Sequence, residues 1–347
     1  MKPVSRTTLL LTGGASYIGS HTVGALLKAG YVPVVIDNFS NSCLALEYLK
    51  SLTGKTITCE LGDALDAAFT ESVLRRHGCV VTVHLGGHKA VGESIAQPLG
   101  CSQANIGSLV SLLHAMTAIK ARAAVFSSGI TVYGEPESVP IDGQFAHAQD
   151  SLYAQAKLMC EQILALQCSA DPSRSINVLR YFNPVGAHVS GLVGEDPDGI
   201  PSNLMTFITQ IWVGKKAKLS VFDDDYPTPG GTGVRDYDHV TDLAKEHVTA
   251  IGALLGQSEC FTVNLGTGDG TSVIGEVRAF EPASGKEFPF KFALKRPGDL
   301  AHYLDDVLPP ALLLDWRATR NIEDVCRDPW RWQQSNPNGY QTQFLLS

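Results

Sequence analysis

Residues 9–19 read Leu-Leu-Leu-Thr-Gly-Gly-Ala-Ser-Tyr-Ile-Gly, an apolar strand that breaks into a glycine turn and continues as a helical pattern over Tyr17–Ala29, closed by Gly30. A strand that turns this tightly into a helix leaves unpaired backbone N–H groups at the helix N-terminus, a geometry suited to the pyrophosphate of a dinucleotide. The same beat recurs along the first half of the chain. Apolar or β-branched runs at 8–11, 32–36, 56–60, 80–85, 123–127 and 177–181 alternate with helical patterns at 17–29, 65–77, 105–119 and 153–167. Most of these runs are continuous instead of alternating, as parallel strands covered on both faces require. Six strands joined by five crossovers predict an α/β fold with a doubly wound parallel sheet, the Rossmann architecture.

The texture changes near Asn183, where Gly, Pro and Asp become frequent and the regular segments shorten. This divides the chain of 347 residues into a dinucleotide-binding domain over 1–184 and a smaller C-terminal substrate-binding lobe over 185–347. The boundary is approximate, and a return of the lobe to the sheet around 261–265 is left open. A net charge of −8, with no clustering of aromatics around Lys or Arg, argues against nucleic acid as the main partner. Nor does any apolar run approach the roughly 20 residues needed to span a bilayer. The eight cysteines form no Cys-x-x-Cys pair and lie in or near apolar segments, so reduced, buried thiols in a cytoplasmic protein are expected.

Gly13, Ser16 and Gly19 hold the three positions of a dinucleotide fingerprint, with serine in the middle. The first glycine permits the turn and the last permits close helix–sheet packing; the middle position faces the pyrophosphate, so the Ser16 side chain must turn aside or bond the phosphate. Asp37, 18 residues after Gly19 at the end of the second strand, suits the ribose hydroxyls of adenosine and repels a 2′-phosphate, which favours NAD over NADP. Asp63, after the third strand, suits the adenine amino group. Near the middle of the chain, Tyr153 and Lys157 stand one helical turn apart on one face. An ammonium beside a phenol favours the phenolate, so the pair is expected to exchange a proton with a hydroxyl near neutral pH.

These segments together resemble the UDP-glucose 4-epimerase (UDP-galactose 4-epimerase) branch of the extended short-chain dehydrogenase/reductases, over nearly the full length. The resemblance rests on Thr12-Gly13-Gly14 with Tyr17-Ile18-Gly19-Ser20-His21, Asp37-Asn38, Lys89-Ala90-Val91-Gly92-Glu93-Ser94 and Thr131-Val132-Tyr133-Gly134. It continues through Tyr153-x-x-x-Lys157, Asn183-Pro184-Val185-Gly186-Ala187-His188, Gly233-Val234-Arg235-Asp236-Tyr237 and Trp330-Arg331-Trp332. It implies NAD-dependent interconversion of UDP-galactose and UDP-glucose through a 4-keto sugar, with Tyr153 as acid/base and Lys157 also holding the nicotinamide ribose. It places Tyr17, Ile18, Asn38, Lys89 and Tyr181 against NAD. Asn183, Asn203, Arg235 and Arg296 would take the UDP diphosphate and Asp299 the uridine ribose, while Tyr303 would line the hexose pocket and disfavour N-acetylated sugars. Members of the family are usually homodimers.

Three positions depart from the family pattern. Ser16 replaces a glycine, Ala104 stands where the family has an asparagine, and Gly129 stands where it has a serine or threonine that hydrogen-bonds the sugar 4-hydroxyl. Gly129 and Ala104 support an alternative, a non-catalytic protein that binds NAD and a UDP-sugar, against which Tyr153 and Lys157 stand. A 4,6-dehydratase is disfavoured because Ile130-Thr131 occupies the place of its Asp-Glu pair. No metal site is expected: His84 and His88 lie at a strand end, 223–225 reads as a solvated loop, and His239 and Asp242 read as structural.

Overall fold

Strand β1 (Thr8–Thr12) pairs in parallel with β2 (Val32–Asp37) on one side and β4 (Val81–His84) on the other. Leu9, Leu10 and Leu11 are wholly buried, because helices cover both faces of the sheet. Each such side chain contributes about 2 kcal/mol of burial. A computed structural model describes residues 7–40, 45–87, 97–134, 140–141, 151–197, 201, 203–256, 259–285, 287–295, 301–306 and 313–340. The remaining strands of this sheet are β3 (Thr58–Leu61), β5 (Ala123–Gly129), β6 (Ser175–Tyr181) and β10 (Phe261–Leu265). The order β10-β6-β5-β4-β1-β2-β3 reverses direction between β1 and β4. That reversal opens a crevice at the carboxyl ends of the strands, where such folds bind ligands.

All six expected strands form, each within two residues of its expected start. Helices α1 (Tyr17–Ala29), α3 (Ala67–His77) and α6 (Leu152–Ala170) match their patterns. Two differences stand out. Helix α2 (Ala45–Thr53), which buries Ala45, Leu46, Tyr48 and Leu49, was not expected. The crossover read as a helix over 105–119 begins earlier, as α4 (Pro98–Ser102), and runs through a π turn at Gln103–Gly107 into α5 (Ser108–Ile119). The widened turn breaks the 3.6-residue period, which hides the first half of the element from a periodicity reading.

The chain forms two compact units, and both are discontinuous. One comprises Met1–Gly134, Ala146–Arg180 and Ala244–Val263; the other comprises Glu135–Phe145, Tyr181–Leu243 and Asn264–Ser347. Within the second, strands β7 (Asn183–Val185) and β13 (His302–Tyr303) pair in parallel with β9 (Val234–His239), and β11 (Gly270–Ser272) pairs antiparallel with it. Strands β8 (Leu219–Phe222) and β12 (Phe290–Ala293) form a separate parallel pair. Helices α7 (Leu204–Trp212), α9 (Val273–Ser284) and α10 (Ile322–Ser335) pack around an aromatic cluster of Trp212, Phe280, Phe288 and Trp330. Helix α8 (Val240–Gly256) carries the chain back to the first unit.

The expectation of uniformly reduced, buried thiols is corrected. Cys168, near the end of α6, and Cys260, just before β10, form a disulfide with Cα atoms 6.6 Å apart, and Cys59 is exposed. The two partners lie 92 residues apart, and only the placement of β10 beside β6 brings them together; spacing alone carries no such signal. Cys43 lies outside the described residues.

Helix α9 carries a liability. Glu276 is fully buried beside Tyr237 and Cys326, and burial pushes its carboxyl up to about 8 from 4.5. Between those values the folded chain holds a proton that the unfolded chain has released, so stability falls as pH rises from about 4.5 to about 8. Glu276→Gln is therefore expected to equal the natural chain near pH 4 and to exceed its stability by about 3 kcal/mol at pH 7. Denaturant melts at pH 5, 7 and 9 check this; a gain that does not grow with pH overturns it.

Candidate active site

The dinucleotide turn tolerates glycine only at two of its three positions. Gly13 has φ +71°, and a Cβ there would meet the backbone N of Gly86 at 2.8 Å; at Gly19 it would meet the Gly13 carbonyl oxygen at 2.2 Å. Ser16 is different. Its φ of −69° suits any residue, and its Oγ accepts from the Gly19 N–H at 3.3 Å while donating to the Gly13 carbonyl at 2.6 Å. The side chain has thus turned aside to cap α1, so the serine stiffens the turn without filling it. Asp37 is buried; its carboxylate accepts from the backbone N–H of Ala15 and of Phe39, each at 2.9 Å, so it braces the glycine turn. Asn38 and Asp63 hold each other through an exposed 3.0 Å hydrogen bond. Tyr17 is buried as the first residue of α1, followed by Ile18. A turn that a Cβ would block at two positions, at a helix N-terminus beside a buried carboxylate, fits NAD.

Helix α6 begins with Ser151, whose Oγ caps the Ala154 N–H at 3.1 Å. Lys157 is buried; its Nζ donates to the Ser127 carbonyl at 2.8 Å and lies 5.9 Å from the Tyr153 ring centroid and 4.9 Å from that of Phe126. Tyr153 is half-buried. Burial pushes its phenol up to about 12, with Cys101 and Cys160 adding to the rise. This corrects the expectation that Lys157 lowers it, because in the chain by itself desolvation outweighs the ammonium. Burial lowers the Lys157 pKa in turn, opposed by Cys160, Glu161 and Cys101. Gly129 ends β5 at φ −156° and ψ 159°, extended angles that any residue adopts. Ala104 lies in the π turn, where its carbonyl accepts from Ser108 Oγ at 2.6 Å.

His84, His239 and Asp242, set aside in the sequence, have partners within the protein. His84 is buried between Thr12 Oγ1 at 2.6 Å and Ser108 Oγ at 3.3 Å, and burial, then Lys157, push its pKa down to about 3. His239 sits 3.4 Å from Asp328, and Asp242 accepts from the backbone N–H groups of Thr319 and Arg320. Among the described residues no His, Cys, Asp and Glu group is arranged to hold a metal.

In the second unit the β7–β9–β13 ladder gathers residues from three distant segments. Tyr303 stands opposite Arg235 in the register, and Asn183 Nδ2 donates to the Asp236 carbonyl at 2.9 Å. Asn203 caps α7 through the Met205 N–H at 3.2 Å, while its Nδ2 reaches the Pro184 carbonyl at 2.8 Å. Asn183, Asn203, Arg235 and the buried Tyr303 are therefore neighbours. Tyr181 is buried at the end of β6. Lys89, Arg296, Asp299 and His88 lie outside the described residues.

The profile of the GDP-mannose 4,6 dehydratase family matches residues 10–329. A UDP-glucose 4-epimerase of Bacillus subtilis is 49% identical over 96% of this chain and 99% of its own length. The chain belongs to the UDP-glucose 4-epimerase family. Among solved structures, the UDP-glucose 4-epimerase of Bifidobacterium longum in complex with NAD+ and UDP superposes with a TM-score of 0.92 at 42% identity, covering 96% of this chain and 100% of that one. The UDP-glucose 4-epimerase of Stenotrophomonas maltophila with bound NAD and formylated UDP-arabinopyranose gives 0.93 at 39% identity, with coverages of 95% and 99%. None of these epimerase-family comparisons supports a non-catalytic reading.

Sequence reasoning passed over one part of the site region, the buried group of Ser128, Tyr133, Glu161 and Arg180. The third residue of the spacing Tyr153, Lys157, Glu161 was the available signal.

Proposed function

We propose that the chain is an NAD-dependent UDP-glucose 4-epimerase that interconverts UDP-galactose and UDP-glucose. The observation that carries this is the meeting, in one unit, of a turn closed to every side chain at Gly13 and Gly19 with Tyr153 and Lys157 on one helix face. Bound NAD supplies the acceptor and donor for hydride at sugar C4, together with a pyridinium charge. Tyr153 takes the proton from the 4-hydroxyl and returns it, and Lys157 supplies positive charge beside the phenol and a hold on the nicotinamide ribose. Gly13, Ser16, Tyr17, Ile18, Gly19, Asp37, Asn38, Asp63, Lys89 and Tyr181 would seat the cofactor. Asn183, Asn203, Arg235 and Arg296 would grip the diphosphate, Asp299 the uridine ribose, and Tyr303 would narrow the hexose pocket. Arginine suits the diphosphate because its planar fork donates two hydrogen bonds at once. Remote grip on UDP leaves the 4-keto sugar free to turn over and accept hydride on its other face.

Purified protein is expected to convert UDP-galactose to UDP-glucose without added NAD, because Ser16 leaves the pyrophosphate turn open. Conversion only with added NAD would locate a defect at that turn; none under either condition, with the protein folded, would overturn the reading.

The proposal includes a homodimer. Leu152, Met159 and Leu166 recur every seven residues along α6, and α4, which carries Leu99, packs against that helix. Leu166 is 69% and Leu99 85% exposed, apolar surface that a second copy would cover. Sedimentation is expected to give dimers, and Leu99→Glu with Leu166→Glu monomers; an unchanged dimer would place the interface elsewhere. A cytoplasmic location is part of the same reading. Among the described residues no helix is long and apolar enough to cross a membrane.

A further inference from the structure

The stripe of α6 that carries Tyr153 and Lys157 continues, one turn further on, to a carboxylate that the proposed chemistry does not use. Glu161 is buried, and Arg180 of β6 meets it with two prongs: Nε donates to Oε1 at 3.0 Å and Nη2 donates to Oε2 at 2.5 Å. Ser128 Oγ donates to the same carboxylate at 2.5 Å. On its other side Arg180 Nη1 donates to the Tyr133 hydroxyl at 2.6 Å, and the guanidinium carbon lies 4.9 Å from that ring's centroid. All four residues are buried. Each is also next to a part of the proposed site. Ser128 precedes Gly129, Tyr133 closes the 3-10 turn Ile130–Tyr133, Arg180 precedes Tyr181, and Glu161 follows Lys157 by one turn.

A buried ion pair is a poor explanation of stability, since well-packed apolar residues in its place often do as well. What a two-pronged pair does supply is fixed geometry. Strand alternation turns Phe126 and Ser128 to the side of β5 that α6 covers, Phe126 under Lys157 and Ser128 on Glu161, so Glu161 and Arg180 grip the end of the strand one turn along from Lys157. We infer that Glu161 and Arg180 are positioning residues for the epimerase reaction, locking the end of β5 and the Tyr133 turn against α6 so that Lys157 Nζ stays on the Ser127 carbonyl. This rests on the epimerase reading for the identity of the reaction. The pair also has an electrostatic role. The groups acting on Lys157 are Cys160, Glu161 and Cys101, with His84 and Tyr153 beside it, and Glu161 is the carboxylate among them. It helps to keep the ammonium charged in a place where burial works against it.

The test uses Glu161→Gln, Glu161→Asp and Arg180→Lys in the full-length protein, with turnover of UDP-galactose against pH, NAD affinity by calorimetry and thermal melting. Glu161→Gln and Arg180→Lys are expected to lower kcat roughly 10- to 100-fold through misplacement of the site and to weaken NAD binding, with KM for UDP-galactose held within about twofold. In Glu161→Gln the alkaline limb of kcat, where Lys157 loses its proton, should move down by about one pH unit; Glu161→Asp, which keeps the charge, should restore the limb. If the folded variants match the natural chain in kcat, NAD affinity and limb, and lose only thermal stability, the pair is merely structural and the inference fails. Should Glu161→Gln not fold, Arg180→Lys decides by the same readouts. A natural chain that does not convert UDP-galactose would sink the epimerase reading, and the NAD affinities alone would then decide on the pair.

Discussion

Tyr153→Phe is expected to lower turnover of UDP-galactose by about 10²- to 10⁴-fold, the contribution typical of a positioned acid/base group, while UDP affinity and NAD retention stay near those of the natural chain. The argument starts from the phenol's environment. In the chain alone burial holds it up to about 12, so at neutral pH it is a protonated donor well suited to returning a proton to a sugar oxygen. The reverse step needs positive charge nearby, and Lys157 is the cation on the same helix face, 5.9 Å from the ring. Phenylalanine keeps the ring and its packing but removes the only atom that carries the proton, so the loss should fall on kcat. Steady-state rates, with UDP binding measured separately, check this. Retention of more than about a tenth of the natural rate would mean that another group moves the proton.

Much of the sheet is legible in the sequence because parallel strands buried on both faces need unbroken apolar runs, and Leu9-Leu10-Leu11 or Val34-Val35-Ile36 have few other uses. The glycine turn is legible for a similar reason: the contacts a Cβ would make at Gly13 and Gly19 leave the residue type no freedom. What escapes is whatever depends on partners far along the chain. Ser16 was equally compatible with facing a phosphate or turning away, and only the 2.6 Å bond to the Gly13 carbonyl decides it. The neighbourhood of Asn183, Arg235 and Tyr303 exists because β7 and β13 both pair with β9, at successive stretches of it, a pairing of segments that no local pattern announces. The Glu161–Arg180 pair is hidden more deeply. A charged residue on a helix reads as a solvated face until the structure shows that both partners are buried. The raised phenol has the same origin, since spacing reveals the neighbouring ammonium but not the desolvation that overrides it.

Gly129→Ser is expected to raise turnover roughly 10- to 150-fold, the equivalent of one hydrogen bond of ~1.5–3 kcal/mol to a reacting group. The backbone places no obstacle in the way, because Gly129 is in the extended region, at φ −156°, and needs none of glycine's freedom. Its place on β5 also favours a gain. The preceding residue, Ser128, points to the opposite side, where Glu161 holds it, so a side chain at 129 stays clear of the buried pair. A hydroxyl there would not be drawn into the buried Glu161–Arg180 pair, and at the last residue of β5 it stands at the carboxyl end of the strand, where such folds bind ligands. In the natural chain the 4-hydroxyl is left, on the proposed reading, to Ser127 or to a water in the space a side chain at 129 would fill, so a slow but active epimerase is expected. The gain should appear in kcat with UDP affinity unchanged, since the new bond would form at the hexose and leave the residues proposed to grip UDP untouched. A serine that leaves kcat unmoved would show that position 129 does not meet the 4-hydroxyl, and that proton traffic in this chain runs through Tyr153 without a strand hydroxyl.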